Sequence, residues 1–80
     1  MEVIIEGETK DLERFKENFD WAGIFNKFHC TIERETINEN AILFTFGLPR
    51  HPILGIKTAN ESKLTEILEA GCVIYNLKMQ

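Results

Sequence analysis

"FHCTIERETINENAILFTFG", residues 28–47, decides the fold. Over 28–36 the chain alternates: Phe28, Cys30 and Ile32 fall on one side, and His29, Thr31, Glu33 and Glu35 on the other. That two-residue period belongs to a half-buried strand. Over 41–47 it alternates again, with Ile42, Phe44 and Phe46 on one face and Ala41, Leu43 and Thr45 on the other. The link "INEN", residues 37–40, is polar enough to turn. Two alternating runs around a short polar link predict a β-hairpin.

On the N-terminal side, "VIIEG", residues 3–7, is a β-branched run closed by Gly7 and predicts a short strand. "ETKDLERFKENFDWAG", residues 8–23, predicts one helix: Thr9 as N-cap, Asp11 and Glu13 in the first turn, and Gly23 at its end. Its apolar stripe is Leu12, Phe15, Phe19 and Ala22. On the C-terminal side, Thr58-Ala59-Asn60-Glu61 fits a capping box that opens a second helix with Leu64, Ile67 and Leu68 as its stripe and Gly71 as its end. "CVIYNLKM", residues 72–79, predicts the last strand.

The order strand, helix, strand, strand, helix, strand, with a right-handed crossover at each helix, predicts a single α+β domain over residues 1–80. Its expected form is a ferredoxin-like βαββαβ plait: a four-stranded antiparallel sheet in the order 4-1-3-2 with two helices on one face. "VIIEGETKDLERFKENF", residues 3–19, resembles the opening strand and helix of small ferredoxin-like proteins of the YubB type, found in plasmids and phages. The resemblance implies that fold and an origin in a mobile element, and it brings no catalytic motif.

Composition narrows the function. Thirteen acidic residues against nine basic ones give a net charge of −4. Phosphate binding needs clustered Lys and Arg, and here they are scattered, so nucleic acid is an unfavourable partner and a basic protein surface a natural one. No run approaches the roughly 18 apolar residues of a membrane span, and the first residues carry no signal core, so a cytoplasmic protein is expected. Cys30 and Cys72 are expected to be free thiols. The predicted strand order puts them on opposite edges, roughly 14 Å apart, beyond the about 7 Å that a disulfide spans.

No constellation for catalysis emerges, so neither catalytic residues nor a cofactor is expected. His29, Cys30, His51 and Cys72 are the soft metal ligands, and no two have the spacing of a zinc site. Cys30 shares a face with Phe28 and Ile32, a poor setting for a thiolate. Glu33 and Glu35 read as solvated strand residues, and the five glycines are isolated, so no phosphate loop forms. Phe44 and Phe46 are two apart, as in RNA-recognition domains, but those domains expose them beside basic residues, whereas here "INEN" precedes them.

What remains is recognition of protein. "GLPRHPILGIK", residues 47–57, reads as a surface bend stiffened by Pro49 and Pro52, with Arg50 and His51 at its tip and Ile53, Leu54 and Ile56 as an optional extra strand. With Ile42, Phe44 and Phe46 turned inward, the open sheet face is expected to show Ile4, Ala41 and Leu43, joined by Val73, Tyr75 and Leu77 of the last strand if Cys72 and Ile74 face inward. His29, Thr31 and Glu33 would rim it. An apolar patch with a polar rim is the form of a protein-binding surface. Trp21 and Phe25 offer a second anchor. The expected function is therefore a non-enzymatic protein-binding module, of the kind a phage or mobile element uses to bind and inhibit a host factor, with a homodimer through the open sheet as one form of association. The alternative is a small-ligand regulatory domain of the ACT type, for which Gly7 would supply the turn after the first strand.

Overall fold

The computed structural model describes residues 1–49 and 58–80, with the side chains of residues 58–60 left aside. In chain order the elements are β1 (Glu2–Glu6), α1 (Thr9–Asn18), α2 (Trp21–Phe28), β2 (Thr31–Asn38), β3 (Ala41–Gly47), α3 (Thr58–Ile74) and β4 (Lys78–Met79). The strands make one antiparallel sheet in the order β2-β3-β1-β4.

Strand alternation sets the two faces of this sheet. Val3 and Ile5 of β1 pair with Phe44 and Ile42 of β3, and all four are buried. All three helices meet this face, with Leu12 and Phe15 from α1, Ile24 and Phe28 from α2, and Leu64, Leu68 and Cys72 from α3 in the same core. Among the described residues the result is two layers, helices on one side and an uncovered face on the other.

The predicted single first helix is two helices. Asp20 is the reason: its carboxylate accepts the Gly23 N–H at 2.9 Å and N-caps a new helix that begins at Trp21. Gly23 is thus inside α2, not at a helix end. The break is bridged from above by the Trp21 indole, whose Nε1 donates to the Lys16 carbonyl at 3.0 Å. Two further details differ from the sequence reading. Ala22 is exposed, and Glu8, not Thr9, occupies the cap position of α1. The Thr9 hydroxyl instead donates to the Glu39 carbonyl at 2.8 Å and ties α1 to the hairpin turn.

The C-terminal segment is also corrected. Gly71 does not end α3, which continues to Ile74. A Cβ at Gly71 would collide with the Phe19 ring and lie 3.2 Å from Phe15, so glycine here lets α3 sit close against those rings. The helix is closed by Asn76, whose φ of 58° is left-handed. Leu77 N–H donates to the Cys72 carbonyl at 2.8 Å and Asn76 N–H to the Val73 carbonyl at 3.3 Å, the paired bonds of a Schellman motif. Only Lys78 and Met79 remain for β4, in place of the eight residues predicted.

Cys30 and Cys72 are both free and buried, as predicted, but for a different reason. Cys72 is in α3 and Cys30 lies between α2 and β2, so neither occupies an edge strand.

Candidate functional site

The uncovered sheet face is built from the residues that alternate away from the core. Across β1 and β3 the direct pairs are Glu2–Thr45, Ile4–Leu43 and Glu6–Ala41. Across β3 and β2 they continue as Thr45–Glu33, Leu43–Glu35 and Ala41–Asn38, and Lys78 of β4 extends the row of Glu6. Directly paired residues share a face. The face therefore has an Ile4–Leu43 centre, both half-buried, with Glu2, Glu6, Glu33 and Glu35 around it.

This centre is smaller than the sequence suggested. Ala41 has the right parity but is buried, at 5% exposure, in the row of Lys78, Glu6 and Asn38. Val73 is helical and 81% exposed, on the outside of α3. Tyr75 turns to the helix side: its ring meets Phe15 edge-on at 5.5 Å and lies 5.6 Å from the Arg14 guanidinium carbon. Leu77 packs against the core beside Gly7, whose missing side chain makes the room. Of the expected open-face residues, Ile4 and Leu43 are brought together there and Tyr75 and Leu77 are not. The physical cause is one and the same: the segment after Gly71 stays helical, so the period-2 reading of "CVIYNLKM" fails.

Trp21 is also claimed by the core. It stacks on Phe44 at 5.2 Å with an interplanar angle of 18°, meets Phe15 and Phe19 edge-on at 5.3 and 4.9 Å, and hydrogen-bonds through Nε1. Its surface neighbour Phe25 is 55% exposed. His29, expected on the rim, is instead the left-handed C-cap of α2, at φ 52°. Phe44 and Phe46, spaced two apart as in RNA-recognition domains, are 0% and 1% exposed beneath Trp21. Arg50 and His51, the optional strand at residues 53–57 and the capping-box side chains of residues 58–60 lie outside the described residues.

Two features escaped the sequence reading. The first is the concentration of carboxylates on one face, legible only once the register pairs Glu2 with Thr45 and Thr45 with Glu33. The second is an apolar surface on the helix side. Phe19, Ile24 and Ile67 line a groove of about 360 Å³ between α2 and α3, and Val73 and Ile74, 81% and 75% exposed, stand on the outer side of α3.

For chemistry the described residues offer little. No three His, Cys, Asp or Glu side chains among them converge as metal ligands. Burial pushes the Cys30 thiol up, and burial with the Glu69 charge pushes Cys72 to about 11, so both stay protonated at neutral pH. Thiols held in that form are poor nucleophiles. Among the described residues no helix is long and apolar enough to cross a membrane. No protein-family model matches the chain, and no curated protein matches it.

Proposed function

We propose that this chain is a non-enzymatic protein-binding module on a ferredoxin-like plait, with α1 and α2 together filling the place of the first crossover helix. The open sheet face is its binding surface. The observation that carries this reading is the Ile4–Leu43 pair, directly opposed on the face that α1, α2 and α3 leave uncovered and bordered by four carboxylates. An apolar centre excludes water from a contact, and a charged border selects the partner's sign.

The partner that fits is a basic protein. A second copy stacked on this face would set Glu2, Glu6, Glu33 and Glu35 of one chain against the same residues of the other, and like charges brought together oppose association. Binding and inhibition of a host factor by a mobile-element protein is one biological setting for such a module.

The test is Leu43→Glu. The new carboxylate sits half-buried on the sheet face away from the core, where a strand substitution changes the stability of the fold by only about 1 kcal/mol. Against a basic partner's apolar anchor it becomes a charge in a desolvated patch, and association should fall by about 2 kcal/mol or more. Circular dichroism reads the fold, and light scattering with co-purification reads association. Unchanged association by a folded variant would refute the open-face reading.

A small-ligand reading has one observation of its own, an open depression of about 600 Å³ around Gly7 and Asn40, lined also by Glu6, Glu39 and Lys78. The Asn40 side-chain amide there already donates to the Gly7 carbonyl at 3.1 Å, and no buried side-chain polar atom among the described residues lacks a partner. Protein binding is the better supported reading.

A further inference from the structure

β2 is an edge of the sheet, and its register shows which of its backbone groups are free. Met1 and Phe46 exchange hydrogen bonds of 2.9 and 2.7 Å, so by antiparallel alternation Phe46 and Phe44 direct their backbone groups at β1. Thr45 and Leu43 then direct theirs at β2, to their partners Glu33 and Glu35. The N–H and C=O groups of Ile32, Arg34 and Thr36 consequently point outward, and among the described residues no strand pairs with them. The side chains along this edge alternate in charge: Glu33 and Glu35 on the open face, Arg34 on the helix side, all three exposed. The ladder is interrupted by a bulge between Thr36 and Asn38, which limits the regular stretch to Thr31–Thr36.

We propose that this edge accepts an extended segment of the partner protein as a fifth strand, with basic side chains opposite Glu33 and Glu35 and an acidic one opposite Arg34. Three outward backbone pairs supply the affinity of strand addition, and the alternating charges supply its selectivity. The same alternation argues against a second copy of this chain. Antiparallel two-fold pairing centred on Arg34 sets Glu33 against Glu35, and pairing centred on Glu33 or Glu35 sets that carboxylate against itself. Each such contact places like charges directly opposite. In these central registers the edge is guarded against itself, and it is open to a strand of the complementary pattern. This mode of binding goes beyond the open-face reading and fails or stands separately from it.

The probe is the peptide acetyl-Thr-Val-Lys-Glu-Lys-Val-Thr-amide, titrated into the ¹⁵N-labelled full chain. Three controls accompany it: the charge-reversed peptide Thr-Val-Glu-Lys-Glu-Val-Thr, the original peptide N-methylated at its central Glu, and the double variant Glu33→Lys/Glu35→Lys. The expected result is a shift and slowed hydrogen exchange at the amides of Ile32, Arg34 and Thr36. Binding should weaken about tenfold for either altered peptide, and the double variant should prefer the charge-reversed one. Ala70→Gln, at an exposed position on α3, should leave the titration within about twofold, since distant residues without shared partners act independently. No shift at the three amides at millimolar peptide would overturn the proposal. Equal binding of the N-methylated peptide would do the same. Shifts confined to Ile4, Leu43 and Thr45 would also overturn it and would leave the open-face reading standing.

Discussion

The indole of Trp21 lies flat on the ring of Phe44, 5.2 Å away and 18° from parallel, and joins the start of α2 to the centre of β3. Phe15 meets both rings edge-on, at 5.3 and 6.0 Å, so the three aromatics lock α1, α2 and the sheet together. Phe44→Ala should therefore remove contacts from all three elements at once. A loss of about 3–5 kcal/mol is expected for a buried Phe, comparable with the total stability of a small domain. Urea denaturation followed by the fluorescence of the single tryptophan measures it. A loss below about 1 kcal/mol would mean that this cluster does not hold the core.

Asp20 starts α2. Asp20→Ala removes the acceptor of the Gly23 N–H, and the expected loss is about 0.5–2 kcal/mol. Asp20→Asn, which keeps an acceptor oxygen, should retain most of the stability. Equal losses in the two variants would contradict a capping role.

Gly71 lies inside α3 and Asn76 closes it, where sequence reasoning ends the helix at Gly71, and a pair of substitutions separates the accounts. Gly71→Ala places a methyl against Phe19 and Phe15, so overpacking of about 1–3 kcal/mol should outweigh alanine's better helix propensity. Asn76→Gly removes strain at a left-handed position and should be neutral or stabilising by up to about 1 kcal/mol. If Gly71→Ala stabilised the protein in thermal denaturation, the close approach of α3 to the rings would be wrong.

The pattern of legible and illegible features follows from these residues. The hairpin was readable because "TIERET" and "AILFTF" alternate over lengths that only strands sustain, and the α+β class followed from it. The end of α3 was not. "GCVIYN" is a short apolar run that suits a buried strand or a helix equally, and the deciding facts are tertiary: rings packed over Gly71 and a left-handed Asn76. The split of the first helix hung on one carboxylate, Asp20, in a segment whose apolar stripe runs on past it. At the candidate site, Ile4 and Leu43 were found by parity alone. Their acidic border was not, because it depends on the register between three strands.

The cysteines make a pH-dependent prediction. The folded Cys72 thiol is raised from the ordinary 9.0 to about 11, first by burial and then by Glu69, and Cys30 is raised by burial. A raised thiol favours the folded state fully below its unfolded value, and that contribution is lost as pH climbs towards the folded one. Stability should therefore decline between about pH 9 and pH 11, and Cys72→Ser should flatten that decline. Denaturation midpoints measured across this range read it directly. At pH 8 a thiol reagent should label both cysteines only after unfolding, and rapid labelling of the native protein would contradict their burial.

The most direct test of the binding account places a photo-crosslinking amino acid at position 43, and in a separate variant at the exposed Ala70 on α3, in the cells that make the protein. Mass spectrometry then identifies what is captured at each position. The account predicts an adduct with a basic protein at position 43 and none of that protein at position 70. Capture of the same protein at Ala70 with none at Leu43, or an adduct at position 43 between two copies of this chain, would contradict it.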